Sequence, residues 1–274
     1  MPPPSATRAS SGTSARCSGG EVRGYDLDVE RLGEGPPVLF VPGSVVGADL
    51  TWRRQRELGR SWTLVFPNRP GFGDSPPLPR NDFEVEAPLF AELLGDGAHL
   101  VGHSYGAVIA LYAAALRPEA ALSLTISEPG TLQLAGTPEA AEMIANGERL
   151  YGAADSITPL DFVRMFRFGA NSARETPSEL PESLRRGAEL AMRERPPWEG
   201  EVPLDRLAAA GFPVLVVSGG HSPVFEAVCD RLAEALGAER ATIEGKGHSV
   251  PETGDPYNRL LERFLASHER GDAG

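Results

Sequence analysis

The stretch from His99 to Leu116 constrains the fold of this chain more than any other part of its 274 residues. A short apolar run leads into Gly102-His103-Ser104-Tyr105-Gly106, and an alanine-rich segment follows. This pattern predicts a strand, a sharp turn and a helix over 105–116. A serine on such a turn projects its hydroxyl into a cleft, and the helix N-terminus offers backbone N–H groups to a developing oxyanion. A turn whose serine only caps the helix is the alternative interpretation.

Apolar runs and helical segments alternate along most of the chain. The first run, residues 22–32, alternates apolar and polar residues as a half-exposed antiparallel strand would. The later runs are continuously apolar and suit strands buried on both faces. They lie at 37–41, 63–66, 99–101, 122–126 and 213–217, and helical segments lie at 84–94, 105–116 and 224–236. This order predicts an α/β fold with a mostly parallel sheet covered by helices on both faces.

Two segments interrupt this alternation. Residues 1–20 are rich in Pro, Ser, Ala, Gly and Thr, and we expect a disordered N-terminal tail. Residues 129–211 hold helical patterns without a strong strand signal, and about eighty residues are too many for a loop inside a compact core. We therefore expect a helical cap inserted at 129–211 between two parts of one core, 21–128 and 212–274.

Composition narrows the range of partners. A net charge of -12 disfavours nucleic acid and anionic membranes, which require clustered positive charge. No apolar run approaches the ~20 residues that cross a bilayer. Cys17 and Cys229 are too few and too differently placed to suggest a disulfide framework or a metal site, which favours a reducing cytoplasm. We expect a small-molecule substrate and neither cofactor nor metal, and the sequence carries no signature of an oligomeric state.

Four motifs resemble those of the α/β-hydrolase family, in the family's order and over residues 21–268. Val41-Pro42-Gly43-Ser44 stands where the family has a His-Gly turn, with Pro42 in place of histidine. Asn68 to Ser75 is similar to the D-x-x-G-x-G-x-S loop, with Asn68 in place of aspartate. Gly102 to Gly106 resembles the nucleophile elbow, and Gly245 to Ser249 the loop of the catalytic histidine. The resemblance implies a sheet of the eight-stranded type and a serine hydrolase.

The chemistry of a serine nucleophile requires specific partners. The Ser104 hydroxyl needs a neutral imidazole to accept its proton, and His248 in its glycine-flanked loop is the best candidate. His221, after the strand at 213–217, is the nearest rival, whereas structural roles suffice for the other histidines. By the same resemblance, the backbone N–H groups of Ser44 and Tyr105 would form the oxyanion hole.

The acid of the expected triad is missing from its common place. Many family members carry an aspartate where this chain has Ser222, and a neutral serine cannot stabilise an imidazolium. Glu128 follows the strand after the elbow helix, where haloalkane dehalogenase-like and zearalenone lactonase-like members place their acid. We therefore predict Glu128 as the acid. The alternative is that Glu128 starts the cap or pairs with an arginine.

These residues predict a serine hydrolase that cleaves an ester, lactone or thioester of a small, moderately apolar molecule through an acyl-enzyme. Two other classes stay open at this point. The same scaffold hosts enzymes of other chemistry, such as carbon-carbon bond hydrolases, lyases, cyclases and cofactor-free oxygenases. A displaced acid is also compatible with a ligand-binding pseudoenzyme.

Overall fold

A computed structural model describes residues 25–169 and 178–269 of the chain. The tail expected at 1–20 lies outside these residues. Seven strands occur in the described part: β1 (Val29–Leu32), β2 (Pro37–Val41), β3 (Thr63–Pro67), β4 (Ala98–His103), β5 (Ala121–Ser127), β6 (Val214–Ser218) and β7 (Glu239–Thr242). The described helices are α1 (Ala48–Thr51), α2 (Phe83–Leu93), α3 (Tyr105–Leu116), α4 (Pro138–Gly152), α5 (Pro159–Gly169), α6 (Glu182–Ala191), α7 (Leu204–Ala208), α8 (Pro223–Leu236) and α9 (Asp255–Ala266).

The strands form one sheet in the order β1-β3-β2-β4-β5-β6-β7. β1 runs antiparallel to β3, and all other neighbours are parallel. The described residues thus contain seven strands, where the resemblance implied a sheet of the eight-stranded type. Residues 25–28 of the strand predicted at 22–32 do not belong to β1, which begins at Val29, and residues 22–24 lie outside the described part of the chain. The predicted α/β architecture is confirmed.

Both faces of the sheet are covered, which explains the continuously apolar central strands. On one face, α2, α3 and α8 pack against residues such as Leu39, Leu100 and Val216. On the other, α9 packs against alternate residues of the same strands, including Phe40, Val101 and Val217. No helix in the described part of the chain is long and apolar enough to cross a membrane.

The segment between β5 and β6 is helical. It carries α4 to α7, and its described residues contain no strand. Thr137 caps α4 by accepting a hydrogen bond from the Ala140 N–H at 3.2 Å, and Pro138 occupies the first helical position. α4, α5 and α6 contact one another through a small core that includes Leu150, Phe162 and Ala191.

The turn from β4 into α3 is crowded by backbone. A Cβ atom on Gly102 would lie 2.6 Å from the Ala107 Cα, and one on Gly106 would lie 2.3 Å from the Val41 carbonyl oxygen. Real Cβ atoms do not approach backbone this closely, so glycine is required at both positions. The elbow and the end of β2 therefore touch directly.

We expect Gly106→Ala to destabilise the fold by about 1–3 kcal/mol, the usual cost of overpacking a tight interior. Chemical denaturation measures this loss. Gly152→Ala is the matched control, because its Cβ would meet nothing within 4 Å. Equal unfolding midpoints for the two variants would contradict the close approach of the elbow to β2.

Candidate active site

Ser104 lies on the turn between β4 and α3 in a strained backbone conformation. Its φ is 55° and its ψ is -120°, and it is one of three described non-glycine residues with positive φ. The other two are Val45, with φ 72°, and Glu128, with φ 49°. Such conformations are costly and cluster at functional sites. All three residues follow the carboxyl ends of sheet strands, at one edge of the sheet.

A chain of hydrogen bonds links the three predicted side chains. The Nε2 atom of His248 lies 2.8 Å from the Ser104 Oγ, and its Nδ1 atom lies 3.1 Å from Oε2 of Glu128. These distances place the imidazole between the hydroxyl and the carboxylate. An Nδ1–H that donates to Glu128 leaves the Nε2 lone pair facing the serine hydroxyl. The structure thus brings Ser104, His248 and Glu128 together in the order that proton transfer needs.

Glu128 is fully buried at the end of β5. Its Oε1 accepts a hydrogen bond from the Gly219 N–H at 2.6 Å, so both carboxylate oxygens have partners. Ser222, where the family commonly has its acid, is the N-cap residue of α8. The carboxylate beside His248 therefore comes from the neighbouring strand, β5.

Burial sets the protonation of this pair. It raises the pKa of Glu128 to about 7, although the nearby His221 and the Gly219 N–H oppose the rise. Burial also lowers the pKa of His248 to about 4. Both shifts have one cause, which is that a charge is poorly solvated inside the protein. The resting imidazole is therefore neutral, as a proton acceptor must be.

The rival histidine occupies a different position. His221 Nδ1 lies 3.7 Å from Oε1 of Glu128, whereas His248 is the histidine at hydrogen-bond distance from Ser104. His99 is buried against the Ser123 hydroxyl at 2.7 Å, and His268 contacts the Phe264 carbonyl oxygen at 2.8 Å.

His103 has a contact with the site that the sequence did not indicate. Its Nε2 lies 2.7 Å from the backbone carbonyl oxygen of His248. Burial lowers the pKa of His103 to about 4, so the neutral ring donates Nε2–H to that carbonyl. The residue before Ser104 therefore anchors the loop that carries His248. Its position inside the elbow was the only available signal.

Glu128, His221 and His248 could also hold a metal ion. One ligand atom from each lies within 4.8 Å of the others, and two histidines with one glutamate form a common zinc donor set. The sequence prediction of no metal site rested on the cysteine count, which cannot detect such a set. A metal on His248 Nδ1 would displace its hydrogen bond to Glu128 and put the ring proton on Nε2. Metal binding and proton acceptance from Ser104 are therefore mutually exclusive.

The turn after β2 approaches Ser104 closely. A Cβ on Gly43 would lie 3.1 Å from the Cβ of Ser104. The next residue, Ser44, has no acceptor for its N–H among the described residues. The Tyr105 N–H belongs to the first turn of α3, where backbone donors lack intrahelical partners. Ser44 and Tyr105, which carry the two predicted oxyanion donors, line the same cavity as Ser104.

A cavity of about 890 Å³ opens above Ser104 and His248. Its walls come mainly from α4, α5, the segment after α6 and the start of α8, and they are mainly apolar. The apolar lining includes Leu132, Met143, Leu150, Trp198 and Phe225. Glu194, which the sequence did not single out, is a buried carboxylate in this lining. Such a volume and lining suit a small or medium-sized organic molecule.

Comparisons with known proteins agree with this fold. A family model described as the alpha/beta hydrolase family matches residues 38–262. A pimeloyl-[acyl-carrier protein] methyl ester esterase of Chromobacterium violaceum is 33% identical over 164 residues, which are 58% of this chain. The match spans 64% of that relative's length, which is less than two thirds.

Two further proteins are similar over more of the chain. RutD of Klebsiella pneumoniae, named as a proposed carbamate hydrolase, is 28% identical over 251 residues, covering 85% of this chain and 92% of RutD. A solved structure of Est816, described as an N-acyl homoserine lactone degrading enzyme, superposes with a TM-score of 0.60 at 22% identity. It covers 89% of this chain and 98% of Est816.

The chain belongs to the α/β-hydrolase family, as the family model and the fold together show. It is an enzyme of the hydrolase class.

We expect the His248 ring to stay neutral well below its ordinary titration range, because burial lowers its pKa to about 4. Nitrogen-15 chemical shifts of the imidazole measure this, and the His248→Gln variant assigns the signal. A titration midpoint near the ordinary histidine value of about 6.5 would show that the ring is more solvated than the structure implies.

Proposed function

We propose that this enzyme is a serine hydrolase that cleaves an ester, lactone or thioester of a small, moderately apolar molecule through an acyl-enzyme intermediate. The observation that carries the proposal is the hydrogen-bonded chain from Ser104 through His248 to Glu128, with distances of 2.8 and 3.1 Å. The strained backbone of Ser104 and the apolar cavity above it support the same conclusion.

In the first half of the reaction, the Ser104 Oγ attacks the substrate carbonyl carbon while its proton moves to Nε2 of His248. The carbonyl oxygen gains the negative charge, and the N–H groups of Ser44 and Tyr105 stabilise it. The imidazolium then gives its proton to the leaving alcohol or thiol. The carbonyl re-forms, and the acyl group remains on Ser104.

In the second half, water attacks the acyl-enzyme and gives its proton to His248. Collapse of this second tetrahedral intermediate returns the proton to Ser104 and releases the acid. Glu128 accepts the Nδ1–H bond throughout. It thereby orients the ring and stabilises each imidazolium.

We further propose that residues 129–211 act as a cap over the site. α4 and the segment after α6 supply much of the cavity wall, as Met143, Leu150 and Trp198 illustrate. An apolar roof favours substrates with apolar groups near the reacting carbonyl, because binding removes those groups from water. The relatives named as a methyl ester esterase and a lactone-degrading enzyme support a carbonyl substrate of this class.

We expect Ser104→Ala to abolish hydrolysis of short-chain p-nitrophenyl esters and labelling by a fluorophosphonate. Glu128→Gln should lower kcat by about 10⁴, since a neutral amide disfavours the required tautomer and cannot stabilise the imidazolium. Glu189→Gln, an exposed change on α6, is the matched control and should retain full activity.

An unchanged rate in Glu128→Gln would remove Glu128 from the mechanism. Labelling of Ser104 without turnover of any ester, lactone, thioester or carbamate would favour carbon-carbon bond cleavage or another reaction on this scaffold. Ligand-induced thermal stabilisation without labelling would point to a binding protein.

The pH dependence should reflect Glu128. Burial raises its pKa to about 7, and the mechanism needs its carboxylate form. A protonated Glu128 would donate to Nδ1 and move the ring proton to Nε2, so kcat/KM should fall as the pH drops below about 7 and level off above it. The released acid should be quantified by chromatography, because nitrophenol also titrates near neutral pH. Full activity maintained to pH 5 would contradict a raised Glu128 pKa.

A further inference from the structure

Behind the turn that bears Ser44 lies a buried ionic cluster outside the hydrogen-bonded chain. Arg69 is fully buried and makes a bidentate ion pair with Glu86, with N–O distances of 2.8 and 2.9 Å. Its Nη2 also lies 3.3 Å from Oε2 of Glu194. One cation thus faces two carboxylates, and burial raises the pKa of Glu194 to about 7.

This cluster holds the Gly43–Ser44 peptide unit. Arg69 Nη1 donates to the Gly43 carbonyl oxygen at 3.1 Å. That carbonyl and the Ser44 N–H belong to the same planar peptide group, and in a trans peptide they point in opposite directions. An arginine that fixes the carbonyl therefore fixes the direction of the N–H on the other side. A charged donor on the carbonyl also polarises the amide.

Glu194 holds the same peptide unit through a side chain. The Ser44 hydroxyl donates to Oε1 of Glu194. Glu194 belongs to the segment after α6, so the bond joins the helical insertion to the turn after β2. The next residue, Val45, has a φ of 72°, a conformation that a branched side chain rarely adopts without outside support.

Arg69 contacts the second proposed oxyanion donor as well. Its guanidinium carbon lies 4.1 Å from the centre of the Tyr105 ring, a cation-π distance. One buried side chain thus touches the peptide of Ser44 and the ring of Tyr105.

We propose that Arg69 and Glu194 are positioning residues that fix the Ser44 N–H toward the developing oxyanion. The inference rests on the proposed function, since it needs a reaction that builds charge on a carbonyl oxygen. The proposal gives a role to the buried cluster of Arg69, Glu86 and Glu194, because apolar side chains could fill the same space. Because Glu194 belongs to the helical insertion, the Ser44 N–H is held in place only when that insertion packs against the turn after β2.

Ser44→Ala is the main test, because it removes the hydroxyl link to Glu194 and keeps the backbone N–H. We expect kcat on p-nitrophenyl butyrate to fall about tenfold, less than the loss of a whole oxyanion donor, with KM within about twofold. Affinity for an alkyl trifluoromethyl ketone should fall by the same factor. The Ser104 Oγ adds to the carbonyl carbon of this ketone. The proton of the serine hydroxyl passes to His248, and the ketone oxygen becomes the oxyanion. A matching alkyl ether, which lacks the carbonyl, should bind unchanged.

Ser123→Ala is the matched control, since it also removes a buried serine hydroxyl. Ser123 contacts His99 near the amino ends of β5 and β4, away from the site at the carboxyl ends of the strands. Ser123→Ala should cost stability without lowering kcat. Glu194→Ala should reproduce the selective loss, and Ser44→Ala/Glu194→Ala should lose little more than either single variant, because both remove one link. Arg69→Lys keeps a cation but not the arginine fork and should show the same pattern.

If Arg69→Lys does not fold, Ser44→Ala and Glu194→Ala decide the question. Equal weakening of the ketone and the ether, or a Ser44→Ala enzyme as active as Ser123→Ala, would overturn the positioning role while leaving the proposed function intact. Wild-type turnover in Ser104→Ala would instead overturn the proposed function, and this inference with it.

Discussion

The close approach of the β4–α3 turn to the end of β2 is the constraint on which the site depends. Backbone meets backbone there, so Gly106 can carry no side chain, and the first turn of α3 crowds Gly102 in the same way. Between these two glycines, Ser104 has a positive φ. This conformation is unfavourable by itself, and the packed sheet on both sides holds it in place. The result is a hydroxyl that stands at the sheet edge beside two loops from distant parts of the chain.

Parallel topology explains how those loops meet. Because the central strands are parallel, the residues that follow their carboxyl ends all lie on the same side of the sheet. Glu128 after β5 and His248 after β7 meet Ser104 there, although 120 positions separate the first two in sequence. The acid can therefore come from β5 or β6, because both strands end beside the histidine loop. Ser222 offers no carboxylate after β6, whereas the Glu128 carboxylate after β5 lies 3.1 Å from the His248 ring.

The sequence predicted the parts of the fold that local patterns encode. Continuous apolar strands, the elbow glycines and the helical spacing of α3 and α8 all report on nearby residues, so they could be read from the chain. Glu128 could be found because it follows a strand. The roles of Arg69, Glu194 and His103 could not be found in this way. Their contacts join separate segments of the chain, and no local sequence pattern marks a buried polar side chain. The start of β1 was also missed, since an edge strand has one neighbour and its alternation continues beyond the ladder.

The buried cluster poses an electrostatic problem that its position resolves. Desolvating an arginine and two carboxylates is expensive, and apolar residues of similar volume often stabilise a core equally well. An apolar replacement for Arg69, however, could not donate to the Gly43 carbonyl, and one for Glu194 could not accept from the Ser44 hydroxyl. The Glu194 carboxylate would repel the negative charge that forms on a nearby oxyanion. The raised pKa of Glu194 and the facing Arg69 guanidinium both reduce that repulsion. The arrangement therefore supplies direction to a neutral donor, and it leaves less negative charge beside the reacting oxygen than an unpaired carboxylate with an ordinary pKa would.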